Sequence, residues 1–186
     1  PTDREIKING LDIIKDRQKI KEIINVSPQE TAIAPNLSVK ENLEFMAGVY
    51  QIPNKEEKLN ELVKMFKLEE VLNQKAKTLS GGWQRKVSIA IALINEPKIL
   101  FLDEPTLGLD VIARKELWNV IEKLKDKITI ILTTHYMEEA ESLSDIIGIM
   151  AKGNLVDVGT AKELIKRAGT KNFEYAFVKI ATGGEL

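Results

Sequence analysis

The stretch that decides the fold covers residues 79–110 and reads LSGGWQRKVSIAIALINEPKILFLDEPTLGLD. Two glycines directly after Ser80 precede an apolar segment with helical periodicity, which predicts a tight loop that opens a helix. The helix is followed by Ile99–Leu102, a short apolar run typical of a buried parallel strand. That strand ends in two carboxylates, Asp103 and Glu104. Open α/β sheets place ligand sites at the carboxyl ends of their strands, so this stretch predicts both a fold class and a site.

The same stretch resembles the ATP-binding subunits of ABC transporters. Residues 79–82 (LSGG) resemble the signature motif of that family, residues 99–105 (ILFLDEP) its Walker B strand, and residues 108–110 (GLD) its D-loop. The resemblance extends over nearly the whole chain. It implies an α/β fold with a mostly parallel sheet of the P-loop NTPase type, and it implies ATP and Mg²⁺ as ligands.

The composition limits the classes of protein that fit. The 186 residues suit one domain, and 44% hydrophobic residues suffice for a sizeable core. The 27 basic and 28 acidic residues nearly cancel, which gives no overall positive field for nucleic acid. The absence of cysteine excludes disulfides and thiolate metal sites. No apolar run reaches the roughly 18–20 residues of a membrane span.

The order of predicted elements indicates one domain with an insertion. Residues 1–33 and 95–186 have the pattern of an α/β core, and residues 34–94 read as an inserted helical block. Near the amino terminus, residues 5–9 and 11–14 predict an antiparallel hairpin around Gly10.

Local signals place several other elements. A polar N-cap residue followed three positions later by Glu predicts a capping box at a helix start. This spacing occurs at Ser38 with Glu41, Asn54 with Glu57, and Thr160 with Glu163. The apolar run at residues 129–133 predicts a second buried strand.

Three of the site residues concern the metal and the attacking water, and their roles come from the resemblance. Asp103 corresponds to the Walker B aspartate, which holds Mg²⁺ through water, and a hard cation prefers such oxygen ligands. Glu104 corresponds to the catalytic glutamate that polarises the water. Gln29, within SPQE after a predicted strand, corresponds to the Q-loop glutamine near Mg²⁺; a surface turn is its alternative interpretation.

His135 is the single histidine of the chain. A lone histidine is more often structural than functional. However, His135 follows the predicted strand at residues 129–133, where the resemblance places the switch histidine that contacts the γ-phosphate.

The resemblance also implies a dimer site. Ser80, Gly81 and Gly82 would bind the ATP held by a second ATP-binding subunit in a face-to-face dimer, since glycines let backbone N–H groups approach phosphate and a helix amino terminus favours anions. Asp110 corresponds to the D-loop aspartate at the dimer seam, and it also fits a helix N-cap.

The sequence departs from the family pattern in two places. Trp83 stands where many members have Gln, and residues 84–86 (QRK) continue in a form that resembles drug-export and lipid-export members. More importantly, no G-x-x-x-x-G-K-[ST] phosphate loop is present. We therefore expect a chain truncated at its amino terminus, with an incomplete ATP site and exposed apolar sheet surface.

The resemblance implies a transmembrane permease subunit as partner, no nucleic acid, and a peripheral location at the cytoplasmic face of the cell membrane. The leading hypothesis is the ATP-hydrolysing subunit of a transporter, with export favoured. Two alternatives stay open: a catalytically degenerate partner that lends its signature motif to another subunit, and a non-transporter ABC ATPase of DNA repair or translation. The compact helical block between Gln29 and Ser80 favours a transporter over the second alternative.

Overall fold

A computed structural model describes residues 5–184 of the chain. Contacts between Cα atoms group the residues into two compact units, Pro1–Thr133 and Thr134–Leu186. The sequence-based division into a core and an inserted block inside one domain stays a prediction.

The first unit begins with the predicted hairpin. Strands β1 (Lys7–Ile8) and β2 (Leu11–Asp12) pair antiparallel around Asn9 and Gly10, both of which have positive φ. The strands are shorter than the sequence predicted. The reason is local, because the Asp12 carboxylate accepts hydrogen bonds from two following backbone N–H groups and turns the chain out of the strand.

A parallel three-stranded sheet forms the centre of this unit. Its order is β3 (Ile24–Ser27), β4 (Ile99–Asp103), β5 (Thr129–Thr133). Ser27, Leu102 and Leu132 lie opposite one another in register, as do Val26, Phe101 and Ile131. Helix α1 (Arg17–Ile23) leads into β3, and α5 (Val111–Lys125) connects β4 to β5.

The two faces of the sheet differ in burial. Leu100 and Leu102 are fully buried, whereas Val26 and Ile131 on the opposite face are 50% and 45% exposed. The prediction of a buried strand at residues 129–133 was therefore wrong for β5, in which exposed and half-buried residues alternate. The expected exposed apolar surface on the sheet is present.

Helices fill the segment between β3 and β4, as predicted. They are α2 (Val39–Val49), α3 (Lys55–Phe66) and α4 (Gly81–Ala92), with 3₁₀ turns at Glu69–Val71 and Ala76–Thr78. Their shared core contains the buried side chains of Leu43, Leu62, Phe66 and Ile89.

Two of the predicted capping boxes lie within this unit, and only one forms. The Ser38 hydroxyl accepts from the Glu41 N–H at 3.2 Å, and the Glu41 carboxylate accepts from the Ser38 N–H at 2.7 Å. The capping box predicted at Asn54 was wrong. Asn54 adopts the left-handed conformation (φ 54°, ψ 39°) and its side chain makes no capping bond, because that backbone turns it away from the helix start.

The second unit combines a hairpin with three helices. Helix α6 (Met137–Leu143) precedes the antiparallel strands β6 (Ile147–Ala151) and β7 (Asn154–Gly159), and α7 (Ala161–Ala168) and α8 (Phe173–Thr182) follow. Thr160 and Glu163 form the predicted capping box of α7. Its core includes the buried residues Ala140, Ile147, Ile149, Leu164 and Phe173.

Between residues 5 and 184, none of the helices combines the length and the apolar character that crossing a bilayer requires.

Candidate functional site

The carboxyl ends of two neighbouring strands bring three polar residues together. Asp103 ends β4 and Thr133 ends β5, and the register places them opposite each other. The Thr133 hydroxyl donates to Asp103 Oδ1 at 2.5 Å. Asp103 remains exposed, so its carboxylate is held by one neighbour and still open to solvent on other sides.

Glu104 continues directly from β4 with an unusual backbone. Its φ is 47°, in the left-handed region that non-glycine residues seldom adopt. Its N–H donates to the Thr133 carbonyl at 3.1 Å, which fixes this conformation to the end of β5. Sparsely populated backbone conformations of this kind concentrate at functional sites. The backbone of Glu104 thus leaves the extended conformation of β4, which ends at Asp103.

The residues predicted for the signature motif and the D-loop line one pocket. Ser80, Gly81, Gly82 and Asp110 border a cavity of about 420 Å³. Ser80 is the N-cap of α4, and its side chain makes no capping hydrogen bond. The first N–H groups of a helix lack intrahelical partners and carry partial positive charge, so this end of α4 suits an anion.

Asp110 begins the neighbouring helix. Its carboxylate accepts hydrogen bonds from the Ile112 and Ala113 N–H groups, each at 2.9 Å, which confirms the N-cap interpretation. Its role at a dimer seam stays a prediction. Gly82 explains why the two helix starts can lie so close, because a Cβ at this position would come within 3.2 Å of Ala113 Cβ.

An ion pair that lines the same pocket joins the two helices one turn after their starts. Lys86 Nζ lies 2.6 Å from Glu116 Oε2 and 4.5 Å from the centre of the Trp83 ring. Lys86 is only 6% exposed. The hydrogen bond from Lys86 lowers the pKa of Glu116 below its ordinary value, which keeps the Glu116 carboxylate ionised at neutral pH.

Gln29 lies in an exposed bend shortly after β3, and its role near the metal stays a prediction. Its backbone is held by Arg85 of α4, whose guanidinium donates to the carbonyl oxygens of Pro28 and Gln29. Arg85 is 4% exposed. Burial lowers the pKa of Arg85, and the negative charge of Asp103 opposes that shift. The guanidinium therefore also interacts electrostatically with the carboxylate at the end of β4.

His135 belongs to the second unit. It is exposed, and its ring lies 4.3 Å from that of Tyr136, at an angle of 36°. Its participation in the site with Glu104 stays a prediction.

The donor set at the strand ends suits Mg²⁺. This ion keeps several waters and commonly binds through one or two carboxylates together with substrate phosphates, and Asp103 supplies such a carboxylate. Within residues 5–184 there is no group of three or more acidic, histidine or cysteine side chains that could hold a metal.

Sequence reasoning missed the polar residues that hold these elements in place: Asn42, Arg85, Lys86, Glu116 and Thr133. A signal was present for two of them. Arg85 and Lys86 are consecutive cations in a helix whose following residues are almost all apolar, and cations placed there need partners. Which partners they have depends on the tertiary structure.

Comparisons with known proteins agree with this geometry. A family model described as ABC transporter matches residues 1–107, more than half of the 186-residue chain. The chain is 39% identical over 171 residues to the human phospholipid-transporting ATPase ABCA3, covering 91% of this chain and 10% of that protein. It is 40% identical over 173 residues to ABC transporter A family member 12 of Arabidopsis thaliana, covering 91% of this chain and 19% of that protein.

A solved structure described as the ATP binding subunit of an ABC transporter has the same fold. Its TM-score is 0.82 at 27% sequence identity, and the match covers 95% of this chain and 75% of that chain. The chain thus spans about a tenth to a fifth of the two curated relatives' length and three quarters of the solved subunit.

Proposed function

The chain belongs to the ABC transporter family, and from this premise we propose that it forms the ATP-hydrolysing part of a transporter. The observation that carries the proposal is the pair of carboxylates at the end of β4, with Asp103 bonded to Thr133 and Glu104 held in a left-handed conformation beside it. A signature pocket on the same unit, lined by Ser80, Gly81 and Gly82, supports it.

The proposed reaction depends on positioned reactants and on electrostatic stabilisation, and it requires no covalent bond to the protein. Phosphoryl transfer to water needs the phosphates held, the water oriented and the developing charge neutralised. Asp103 would hold Mg²⁺, which when bound neutralises phosphate charge. Glu104 would orient the attacking water, and Gln29 would approach the metal. For His135, which belongs to the second unit, we propose a contact with the γ-phosphate.

The phosphate-binding loop itself is not among these residues, because the sequence contains no G-x-x-x-x-G-K-[ST] motif. We propose that hydrolysis requires such a loop from outside the 186 residues. The pocket at the amino end of α4 would contact the ATP of a second ATP-binding subunit, which makes the working form a face-to-face dimer.

The transport partner would be a transmembrane subunit or segment, with this chain peripheral at the cytoplasmic face. An exposed apolar stripe on α2 supports such docking: Phe45 and Val49 are 61% and 57% exposed, and Tyr50 at the end of the helix is 37% exposed. Phe45 and Val49 are four residues apart and therefore share one face of the helix. Since one relative is named a phospholipid-transporting ATPase, we propose an exporter of lipid-like molecules.

The test is ATP hydrolysis by the complete protein that contains this chain. Replacing Glu104 by Gln keeps the shape and removes the charge that orients water, so turnover should fall by about 10²–10⁴-fold while ATP binding persists. The matched control is Glu57→Gln on an exposed face of α3, which should leave turnover unchanged. Wild-type turnover in the Glu104→Gln variant would refute the assigned role.

A further inference from the structure

The loop that carries Gln29 is attached to the helix that carries the signature motif. Three consecutive residues at the end of β3 contact α4: Ser27 Oγ lies 3.2 Å from Ser88 Oγ, and the carbonyls of Pro28 and Gln29 accept from Arg85. Ser88 lies three residues after Arg85, so both side chains project from the same face of α4. All three contacts involve side chains that are buried.

The far end of the same loop is attached to the helical block as well. Asn42 of α2, which is 3% exposed, accepts from the Ala34 N–H at 2.7 Å and donates to the Ala34 carbonyl at 3.1 Å. Immediately afterwards, the carbonyls of Pro35 and Leu37 accept from the N–H groups of Lys77 and Ala76, each at 2.9 Å. Ala76 and Lys77 belong to the 3₁₀ turn that leads into the signature motif.

Arg85 is the contact best suited to control the position of Gln29. A guanidinium is a planar fork whose donors can bind two acceptors at once, whereas a lysine ammonium acts as a point charge. Here the fork binds two successive carbonyls of the loop, with Nη1 at 2.6 Å from the Pro28 oxygen. The orientation of the peptide between Pro28 and Gln29 is thereby set by a residue of α4, four positions after Gly81.

We propose that Arg85 is a positioning residue that locks the loop of Gln29 onto the signature helix, so that the two move as one body. A displacement of the Gln29 loop would then carry Ser80, Gly81 and Gly82 with it. Arg85 does not touch a nucleotide in this scheme; it acts through the backbone of Gln29. The consequence for catalysis rests on the proposed function, but the mechanical coupling does not.

Hydrogen exchange tests the coupling without ATP. In the complete protein, Arg85→Lys should raise amide exchange at Ile33 and Ala34, whose N–H groups donate to the Thr31 carbonyl and to Asn42 Oδ1. The expected rise is about tenfold, since losing one hydrogen bond of the fork corresponds to roughly that factor. Amides of β4 should be unaffected. Arg17→Lys on the exposed face of α1 is the matched control, because it makes the same chemical change away from the loop, and it should alter neither region.

Turnover provides the second measurement. Arg85→Lys and Arg85→Gln should both lower kcat by about tenfold and leave KM for ATP within about twofold, because the nucleotide contacts persist while the loop loses its register. If the charge of Arg85 toward Asp103 were its role, Lys would restore both exchange and kcat to wild-type values. That rescue would overturn the proposal, as would exchange that rises equally throughout β4.

A measurement on the wild-type protein covers the case in which the variants do not fold. Under rising denaturant, exchange in residues 29–34 and in residues 84–88 should accelerate in parallel, since the two segments open together. Independent opening of the loop would refute the coupling. Absence of ATPase activity in the wild type would count against the proposed function alone.

Discussion

At the scale of single residues, Glu104 has a backbone conformation that contacts with the neighbouring strand β5 hold in place. The residue before a proline normally adopts an extended backbone, yet Glu104 precedes Pro105 with φ 47°. Two features of β5 hold it there, since its N–H lies 3.1 Å from the Thr133 carbonyl and 3.4 Å from the Thr133 hydroxyl. The same hydroxyl binds Asp103, so Thr133 orients both carboxylate-bearing residues.

A prediction at this scale concerns His135. If it contacts the γ-phosphate, His135→Ala should lower ATP turnover of the complete protein by about 10²-fold, the typical cost of removing one donor to developing charge. Tyr136→Phe is the matched control, because it keeps the ring beside His135 and should retain most of the activity. Equal turnover in wild type and His135→Ala would contradict the proposed contact between His135 and the γ-phosphate.

At the scale of elements, the contact between α4 and α5 governs the shape of the signature pocket. The close approach of Gly82 to Ala113 sets the separation of the helix starts, and the ion pair of Lys86 with Glu116 fixes them one turn further along. Lys86 is nearly fully buried while Glu116 has a side-chain exposure of 42%. Solvent therefore screens the pair from one side.

Removal of this pair should have a pH-dependent effect on stability. Glu116→Gln should lower the free energy of unfolding by about 1 kcal/mol at pH 7, at the low end for charged hydrogen bonds because of that screening. The pKa of Glu116 is lowered in the folded state from 4.5. Its contribution is therefore fully present above pH 4.5 and is lost as the pH falls through the folded-state value.

Denaturant titrations of wild type and Glu116→Gln from pH 7 down to pH 3 measure this difference. Glu122→Gln on the same helix is the control; its partner Lys125 lies 3.5 Å away at a more exposed position, and the effect should stay below about 0.5 kcal/mol. A wild-type advantage that persisted unchanged at the lowest pH would contradict the assignment to Glu116.

The amino end of α4 offers a further test of the pocket. A Cβ at Gly81 would meet no heavy atom within 4 Å, so Gly81→Asp introduces charge without a steric clash, and an acidic residue in the first helical turn favours the helix. In the complete protein, this carboxylate should repel phosphates of the partner's ATP and abolish ATP-driven dimerisation. Sizing columns with ATP, in a Glu104→Gln background, measure it; Gly81→Ala should still dimerise.

At the scale of the whole molecule, the 186 residues contain the proposed catalytic residues and no G-x-x-x-x-G-K-[ST] motif. The sheet also keeps apolar residues in water, with Val26 at 50% and Ile131 at 45% exposure in register on one face. Contiguous exposed apolar surface promotes association. We therefore expect the isolated chain to be unstable or prone to aggregation.

The isolated chain should bind ATP weakly and should not hydrolyse it. Hydrogen bonds to charged groups contribute roughly 1.5–3 kcal/mol each, so three missing phosphate contacts cost about 4–9 kcal/mol, and each 1.4 kcal/mol is about tenfold in affinity. A micromolar site would fall to about millimolar or weaker. Titration with a fluorescent ATP analogue checks this. Micromolar affinity would reveal a phosphate site elsewhere in the chain.

Features set by short-range contacts were determined by the sequence itself. The capping boxes at Ser38 and Thr160 join residues three positions apart, and the apolar periodicity of α4 and α5 follows from one helical turn to the next. Likewise, the order of the motifs from LSGG to GLD sufficed to indicate the family. Such signals need no knowledge of distant residues, so they could be read without the structure.

The tertiary structure alone decided the features that depend on residues far apart in the chain. The left-handed backbone of Glu104 requires β5, the fork of Arg85 requires a loop more than fifty residues earlier, and Lys86 finds Glu116 thirty residues later. The burial of β5 was mispredicted for the same reason, because an apolar sequence does not say which neighbours cover it. Propensity acts locally, whereas exposure, strain and the pairing of buried charges are set by packing.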